Sequence, residues 1–353
     1  MSNREAFFAE MDRKFLALTF DDVLLPPLHT NVPPSKANVA TRLTTDITLN
    51  IPIVSAAMDT VTEARLAIRM AQNGGLGFIH KNLSIADQAH EVNKVKRSEA
   101  GMIIEPITMH PEQKMSEARA IMAKEQISGL PIVDDEDLLV GILTNRDMRF
   151  QSDGDDTIAQ HMTTKTKLIT APEGTTLDAA KAILHQHRVE KLPVVDVAGR
   201  LRGLITVKDI EKVVQFPLAC KDQFGRLRCG AAVGVAPDTI ERVHALVQEH
   251  VDVITVDSAH GHAQAVLDVT ERIRNAFPDI QLIAGNIATC EAATALIKRG
   301  VNAVKVGVGP GSICTTRIVT GAGMPQITAI VEAERAAHGK KIPVIADGGI
   351  RYS

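Results

Sequence analysis

Outside the middle of the chain, short runs of Val, Ile and Ala alternate with stretches whose apolar residues recur every three or four positions. IPIVSA leads into a helical pattern from Thr62 to Gln72, and GLGFIH is the next apolar run. CGAAVGVA, VDVITVD, IQLIAGN, NAVKVGVG and IPVIADGG follow further on. Between them lie DTIERVHALVQEH, AQAVLDVTERIRNAF, CEAATALIKRG and PQITAIVEAERAAHG. Near-continuous apolar strands alternating with helices predict a parallel sheet covered on both faces. Thr60 and Glu63 have the spacing of a capping box for the first helix, and Gly74 stands where its C-terminal stop belongs. The flanks hold about seven such strands in nearly the ~250 residues that an eight-stranded β/α barrel takes. The expected fold class is therefore α/β, a TIM-type (β/α)8 barrel. A doubly wound open sheet is the alternative.

The middle of the chain repeats itself. ISGLPIVDDEDLLVGILTNRDM, from Ile127, aligns without a gap on VEKLPVVDVAGRLRGLITVKDI, from Val189. Leu130 falls on Leu192, Pro131 on Pro193, Asp134 on Asp196, Gly141 on Gly203, Thr144 on Thr206 and Asp147 on Asp209. Each copy follows a helical pattern, MSEARAIMAKEQ or LDAAKAILHQHR, and reads helix, strand, turn, strand, then a helix opening at Thr-x-x-Asp. This gives a domain plan of 1–104 as the first part of the barrel, 105–215 as two repeats (105–160 and 161–215), and 216–353 as the second part. The repeats enter after the second barrel strand.

Composition narrows the partners. The net charge is -3 over 353 residues, so nothing draws the chain to nucleic acid or to an anionic membrane. With no Trp and one Tyr, it lacks a stacking platform for single strands. No apolar run reaches the ~18 residues of a membrane span, and MSNREAFFAE is not a signal peptide. Cys220, Cys229, Cys290 and Cys314 form no C-x-x-C pair, so neither zinc nor a disulfide framework is expected. The expected location is cytoplasmic, with reduced thiols.

Polar or glycine residues follow the strands directly: Ser55, His80, Asp257, Asn286, Gly307 and Asp347. In a barrel that end carries the active site. GVGPGSICTTR, Gly307 to Arg317, places Cys314 in a glycine-rich loop. Gly307, Gly309 and Gly311 allow close backbone approach, and successive N–H groups there can form an anion nest, with the Ser312 hydroxyl beside it. Such donors would lower a thiol pKa. Turned the other way, the loop carbonyls could hold a cation. Asp347, and Asp257 likewise, could each accept from a ribose diol. The G-x-G-x-x-G dinucleotide fingerprint is absent. Core filling remains the ordinary fate of Cys220, Cys229 and Cys290. From the residues alone, the expectation is an enzyme with a cysteine nucleophile and a phosphorylated ligand.

The same loop resembles the cysteine loop of the inosine-5'-monophosphate dehydrogenase family. LTFDDVLLPP, PIVSAAMDTVTE, GGLGFIHKN, VDSAHGH, LIAGN and ADGGIRYS are similar to family stretches in the same order. The repeat resembles the tandem CBS (Bateman) domain inserted at this place in the family. The resemblance implies that Cys314 attacks C2 of IMP, with hydride passing to NAD and water releasing XMP from a thioimidate. It implies Ser312 at the IMP phosphate, Asp347 with Gly348 and Gly349 at the ribose, Ser55 and Met58 also against IMP, and Thr316 near the reacting centre. Asp257, Ser258, Asn286 and the Gly307–Val308–Gly309 backbone would face NAD. The carbonyls of Gly309, Gly311 and Cys314 would bind a monovalent cation, usually K+. Thr144, Asp147, Thr206 and Asp209 match regulatory ATP or GTP positions, although Thr-x-x-Asp is also helix-capping chemistry.

The resemblance implies a family pattern that continues past Ser353. The last barrel strand, the flap with its water-activating Arg and the rest of the cation site are thus expected to be missing, and the chain alone to turn over little. Homotetramers or octamers are implied for a completed chain. Two alternatives stand beside the dehydrogenase: a GMP reductase, which normally lacks the inserted repeat and which SAAMDTVTE and DSAHGH resemble less than they do the dehydrogenase, and a catalytically dead nucleotide-sensing module.

Overall fold

The computed structural model describes residues 16–98, 103–104, 106–125, 127–149 and 156–352, without the side chains of 104, 209 and 213. Contacts divide the chain into two compact units. One comprises 1–98, 218–222 and 227–353, and the other 99–217 with 223–226. Residue 105, where the repeat was expected to begin, and Asp209, as a side chain, lie outside the described residues.

Among the described residues the first unit is built on seven strands: β1 Val54–Ser55, β2 Leu76–Ile79, β3 Gly230–Val233, β4 Val253–Asp257, β5 Gln281–Ile287, β6 Ala303–Val306 and β7 Val344–Ala346. All pair in parallel and in chain order, β1 to β7. A doubly wound sheet reverses its order at a switch point; this one never does. The helices around it are α1 Ala64–Gln72, α2 Ile85–Ser98, α3 Thr239–Gln248, α4 Gln264–Ala276, α5 Cys290–Ile297, α6 Thr316–Thr320 and α7 Gln326–Ala337.

Side chains alternate along each strand. Ile79, Ala231, Ile254, Val256, Leu282, Ala284, Val304 and Val306 pack outward against helix residues such as Ala67, Val92, Leu246, Ile273 and Ala333. Leu76, Phe78, Val253, Ile283 and Ala303 form a separate inner cluster with Ile345 and Val54. First and last strands therefore share one interior, which means the sheet is curled as in a TIM-type barrel. Leu43, Ile47 and Leu49, from a short antiparallel pair, Thr41–Arg42 with Thr48–Leu49, complete that inner cluster.

The expected capping box does not form. Thr60 takes φ +59°, and α1 starts at Ala64 with Glu63 as an N-cap that makes no side-chain bond. The competing partners lie on other segments. The Thr62 hydroxyl donates to Ala56 O (2.6 Å) and Ser55 Oγ (3.0 Å), and Glu91 Oε2 accepts from Ala64 N–H at 2.7 Å. Gly74 does end the helix, at φ +93°.

In the second unit the two copies fold alike. Gly129–Val133 pairs with Leu139–Thr144, and Lys191–Val195 with Leu201–Thr206, each with a bulge before the last strand residue. Each copy has its own core. Met109, Ala118, Met122, Leu130, Ile132 and Leu143 in one correspond, 62 positions on, to Ala171, Ala180, Leu184, Leu192, Val194 and Ile205 in the other. Reciprocal bonds join the copies, from Leu139 N–H to Gly199 O (3.0 Å) and from Leu201 N–H to Asp137 O (3.1 Å).

Candidate active site

The inward alternation that buries Val253 and Ala303 also points Thr255, Asp257 and Lys305 into the curl. Lys305 Nζ lies 2.5 Å from Asp257 Oδ1 and 3.2 Å from Asp347 Oδ2, so one ammonium bridges β4 and the turn after β7. Burial opposes its charge, but the two carboxylates outweigh that and hold the Lys305 pKa above the ordinary range. Asn286 Nδ2 donates to the same Asp347 Oδ2 (2.9 Å) and to Gly307 O (2.8 Å), while its own Oδ1 is buried without a partner. A cavity of about 60 Å³ opens here, lined by Ser55, Phe78, Thr255, Lys305, Ile345 and Asp347 among others. The Thr255 hydroxyl lining it is buried and unpartnered.

The cysteine loop leaves β6 at Gly307, whose φ is +147°. A Cβ there would sit 2.1 Å from Asp347 O, so only glycine lets the two turns meet. Gly348, at φ +81°, has room for a Cβ only 3.1 Å from Gly311 N, and one on Gly349 would lie 3.1 Å from Pro310 Cβ. The Asp347 turn is thus pressed against the cysteine loop. Gln326 fastens both, its Nε2 donating to Val306 O (2.9 Å) and Asp347 O (3.1 Å).

Within the loop, Cys314 N–H donates to Gly311 O at 3.1 Å and the Cys314 Sγ lies 3.2 Å from Thr316 Oγ1. The Thr316 hydroxyl lowers the thiol pKa most, followed by the Thr316 N–H; the Gly309 N–H and the Arg317 charge act the same way. The aliphatic stem of Arg317 fills the space a Cβ on Gly309 or Gly323 would take, at 2.6 and 2.7 Å, and its Nη2 donates to Met324 O at 2.8 Å. Cys220 is the opposite case, with burial pushing its thiol up to about 11.

Most of the residues singled out in the first unit meet at this end of the sheet. Ser55 ends β1, and Met58 lies in the turn after it, 40% exposed. Asp257 ends β4; Ser258 N–H donates to Gly285 O (2.9 Å) and Asn286 N–H to Ser258 O (2.7 Å), joining the two following loops. Val308 O accepts from Met324 N–H at 3.1 Å, and Ser312 is exposed. His80 is buried. Its Nδ1 accepts from Asn82 N–H at 3.2 Å, and its Nε2 faces Glu63 at 3.6 Å and Asp59 at 3.7 Å. Among the described residues no cluster of His, Cys, Asp or Glu could hold a metal ion, and no helix is long and apolar enough to cross a membrane.

Thr144 and Asp147 belong to the other unit and form a capping box, with Asp147 Oδ2 accepting from both the N–H and the hydroxyl of Thr144 at 2.7 Å. Thr206 ends the equivalent strand. Sequence reasoning missed Lys305, Gln326 and Thr255. Lys305 carried a signal: it is the one charged residue in an otherwise apolar strand that helices cover, where an ion is costly unless paired.

A curled parallel sheet, a cysteine loop after its sixth strand and an acidic turn after its seventh define a (β/α)-barrel enzyme site. The IMP dehydrogenase / GMP reductase domain model matches residues 17–353, and the chain belongs to that family. The inosine-5'-monophosphate dehydrogenase of Aquifex aeolicus is 58% identical over 347 residues, covering 98% of this chain and 71% of that protein. That of Halalkalibacterium halodurans is 56% identical, covering 95% and 69%. Among solved structures, a GMP reductase of Trypanosoma brucei in complex with guanosine 5'-monophosphate superposes with a TM-score of 0.87 at 37% identity, covering 95% of this chain and 72% of its own. Cover that complete cannot omit a segment as long as 105–215. The inserted repeat, normally absent from reductases, is matched in this one and so does not by itself separate the two enzymes.

Proposed function

We propose that the chain oxidises IMP to XMP with NAD as hydride acceptor. The Cys314 thiolate adds to C2 of the purine, C2 gives up hydride to NAD, and water then cleaves the resulting thioimidate to XMP and free thiol. The carrying observation is the activated Cys314, held against the turn that bears Asp347, in a chain 58% identical to an IMP dehydrogenase. Thr316 stabilises the thiolate. Asp347 takes the IMP ribose, with Gly348, Gly349, Ser55 and Met58 alongside and Ser312 at the phosphate. Asp257, Ser258 and Asn286 receive NAD, a role that the unpaired Asn286 Oδ1 fits. Holding both reactants side by side at this end of the sheet would supply much of the rate by proximity.

Main-chain carbonyls are the donors K+ takes. Gly309, Gly311 and Cys314 would supply such carbonyls, Gly309 standing at φ +79° and Gly311 O also accepting from Cys314 N–H; an ion bound there would brace the loop. The repeat unit is proposed as a tandem CBS module that takes ATP or GTP at Thr144 and Asp147, with Thr206 and Asp209 in the second copy.

The test mixes protein with IMP and NAD and follows NADH in a single turnover, with mass analysis of the Cys314 peptide. One NADH per site and a purine-nucleotide adduct, both lost in Cys314→Ala, are expected. NADPH oxidation with GMP, without NADH from IMP, would assign the reductase instead. ATP or GTP binding with neither reaction would leave the sensing module.

A further inference from the structure

Lys305 is a charge placed between two others for which the chemistry above gives no use. Its ammonium touches Asp257 on one side and Asp347 on the other, at 2.5 and 3.2 Å, with its side chain only 16% exposed. These carboxylates sit on different strands, β4 and the turn after β7, and in the proposed reaction they hold different nucleotides. Each commits one oxygen inward, Asp257 Oδ1 to Lys305 and Asp347 Oδ2 to Lys305 and Asn286. The other oxygens, Asp257 Oδ2 and Asp347 Oδ1, on side chains 25% and 33% exposed, are the ones left for ribose hydroxyls. Lys81 Nζ holds the main chain of the same Asp257 at its carbonyl, 2.7 Å away, so this carboxylate cannot drift far from the ammonium.

We infer that Lys305 is a positioning residue that couples the dinucleotide site to the mononucleotide site by sharing one ammonium between Asp257 and Asp347. A ligand drawing on either carboxylate shifts the ammonium's attraction toward the other. Binding at one site therefore changes affinity at the other, and linkage makes the effect reciprocal. Lys305 need not touch either ligand. This rests on the proposed assignment of the two carboxylates to the two riboses.

The test measures IMP affinity by titration calorimetry in the absence of NAD, for the parent chain, Asp257→Asn, Lys305→Met and the double variant, with melting temperature followed for each. With Lys305 present, Asp257→Asn is expected to weaken IMP binding by about fivefold, because the ammonium then closes on Asp347 alone. In the Lys305→Met background the same substitution is expected to change IMP affinity less than about twofold. Lys305→Arg should restore the sensitivity. A residue serving only to stabilise the fold would lower the melting temperature without making one carboxylate's effect depend on residue 305. Unchanged IMP affinity in Asp257→Asn overturns the coupling, as does an effect that persists in the double variant, where position 305 carries no charge. Should Lys305→Met not fold, the Asp257→Asn and Lys305→Arg arms decide. A parent chain that binds no IMP instead overturns the functional reading itself, and the two failures are thereby told apart.

Discussion

Thr316 Oγ1 stands 3.2 Å from Cys314 Sγ, and it is the largest influence lowering that thiol's pKa. The two residues are two positions apart, the sulfur just before α6 and the hydroxyl on its first residue, so one short segment delivers both hydrogen-bond partners. Thr316→Val removes the hydroxyl while keeping the shape. With the thiol pKa raised toward its ordinary value, less thiolate is present at neutral pH. Alkylation of Cys314 by iodoacetamide should slow several-fold near pH 7, and the midpoint of its pH–rate curve should move to higher pH. An unchanged curve would remove Thr316 from the account.

Environment should also rank the cysteines. Cys314 is partly exposed with a lowered pKa, whereas Cys220 is buried and pushed up to about 11. Limited labelling of the folded protein near pH 8 should modify Cys314 first and leave Cys220 and Cys229 unmodified until denaturant is added. Peptide mapping checks this.

Two glycines with positive φ make a controlled comparison. Gly307→Ala would press a methyl group to 2.1 Å from Asp347 O, at φ +147°. Gly321, at φ +70°, has nothing within 4 Å of an added Cβ. Gly321→Ala should cost about 1 kcal/mol, the backbone penalty alone. Gly307→Ala should cost roughly 3 kcal/mol and abolish IMP binding, because the two turns must separate. Urea midpoints and calorimetry measure both.

At the far end of the same strands lies a buried ion cluster. Lys96 Nζ sits 3.0 Å from Asp222 Oδ2 and 2.8 Å from Asp252 Oδ2, with the lysine side chain 4% exposed and both carboxylates 10%. Asp252 also accepts from Cys229 N–H at 2.9 Å. Lys96→Met would take from two buried carboxylates the cation they share. The expected loss is about 3–5 kcal/mol, read as a fall in the denaturation midpoint.

In the repeat unit, Asp147→Ala removes both bonds that Thr144 donates to it. Loss of the cap should destabilise this unit by about 1 kcal/mol. If Asp147 also receives a ribose, ATP or GTP affinity should fall about tenfold, more than the lost cap explains. Thr144→Ser keeps the hydroxyl and should leave both nearly unchanged. Nucleotide affinity that survives Asp147→Ala would confine this residue to capping.

Strand and helix order, the duplicated unit and the cysteine loop were legible in the residues because each is a local property. Apolar runs of four or five residues, a helical period and a gapless 62-residue offset need no knowledge of what packs where. The capping box was misread for the same reason: spacing identified Thr60 and Glu63, but Ser55, Ala56 and Glu91 competed for the polar groups around them.

What only the tertiary structure decided is which inward side chains share the interior. Curling a sheet sets β4, β6 and the turn after β7 around one cavity. That closure makes partners of Lys305 and the two carboxylates, Asp257 lying 48 positions before it and Asp347 lying 42 after. Strand alternation foretells that Lys305 points to one face. It cannot foretell that this is the inner face of the expected barrel, or that two carboxylates wait there, because those partners lie on strands and turns brought alongside only when the sheet curls.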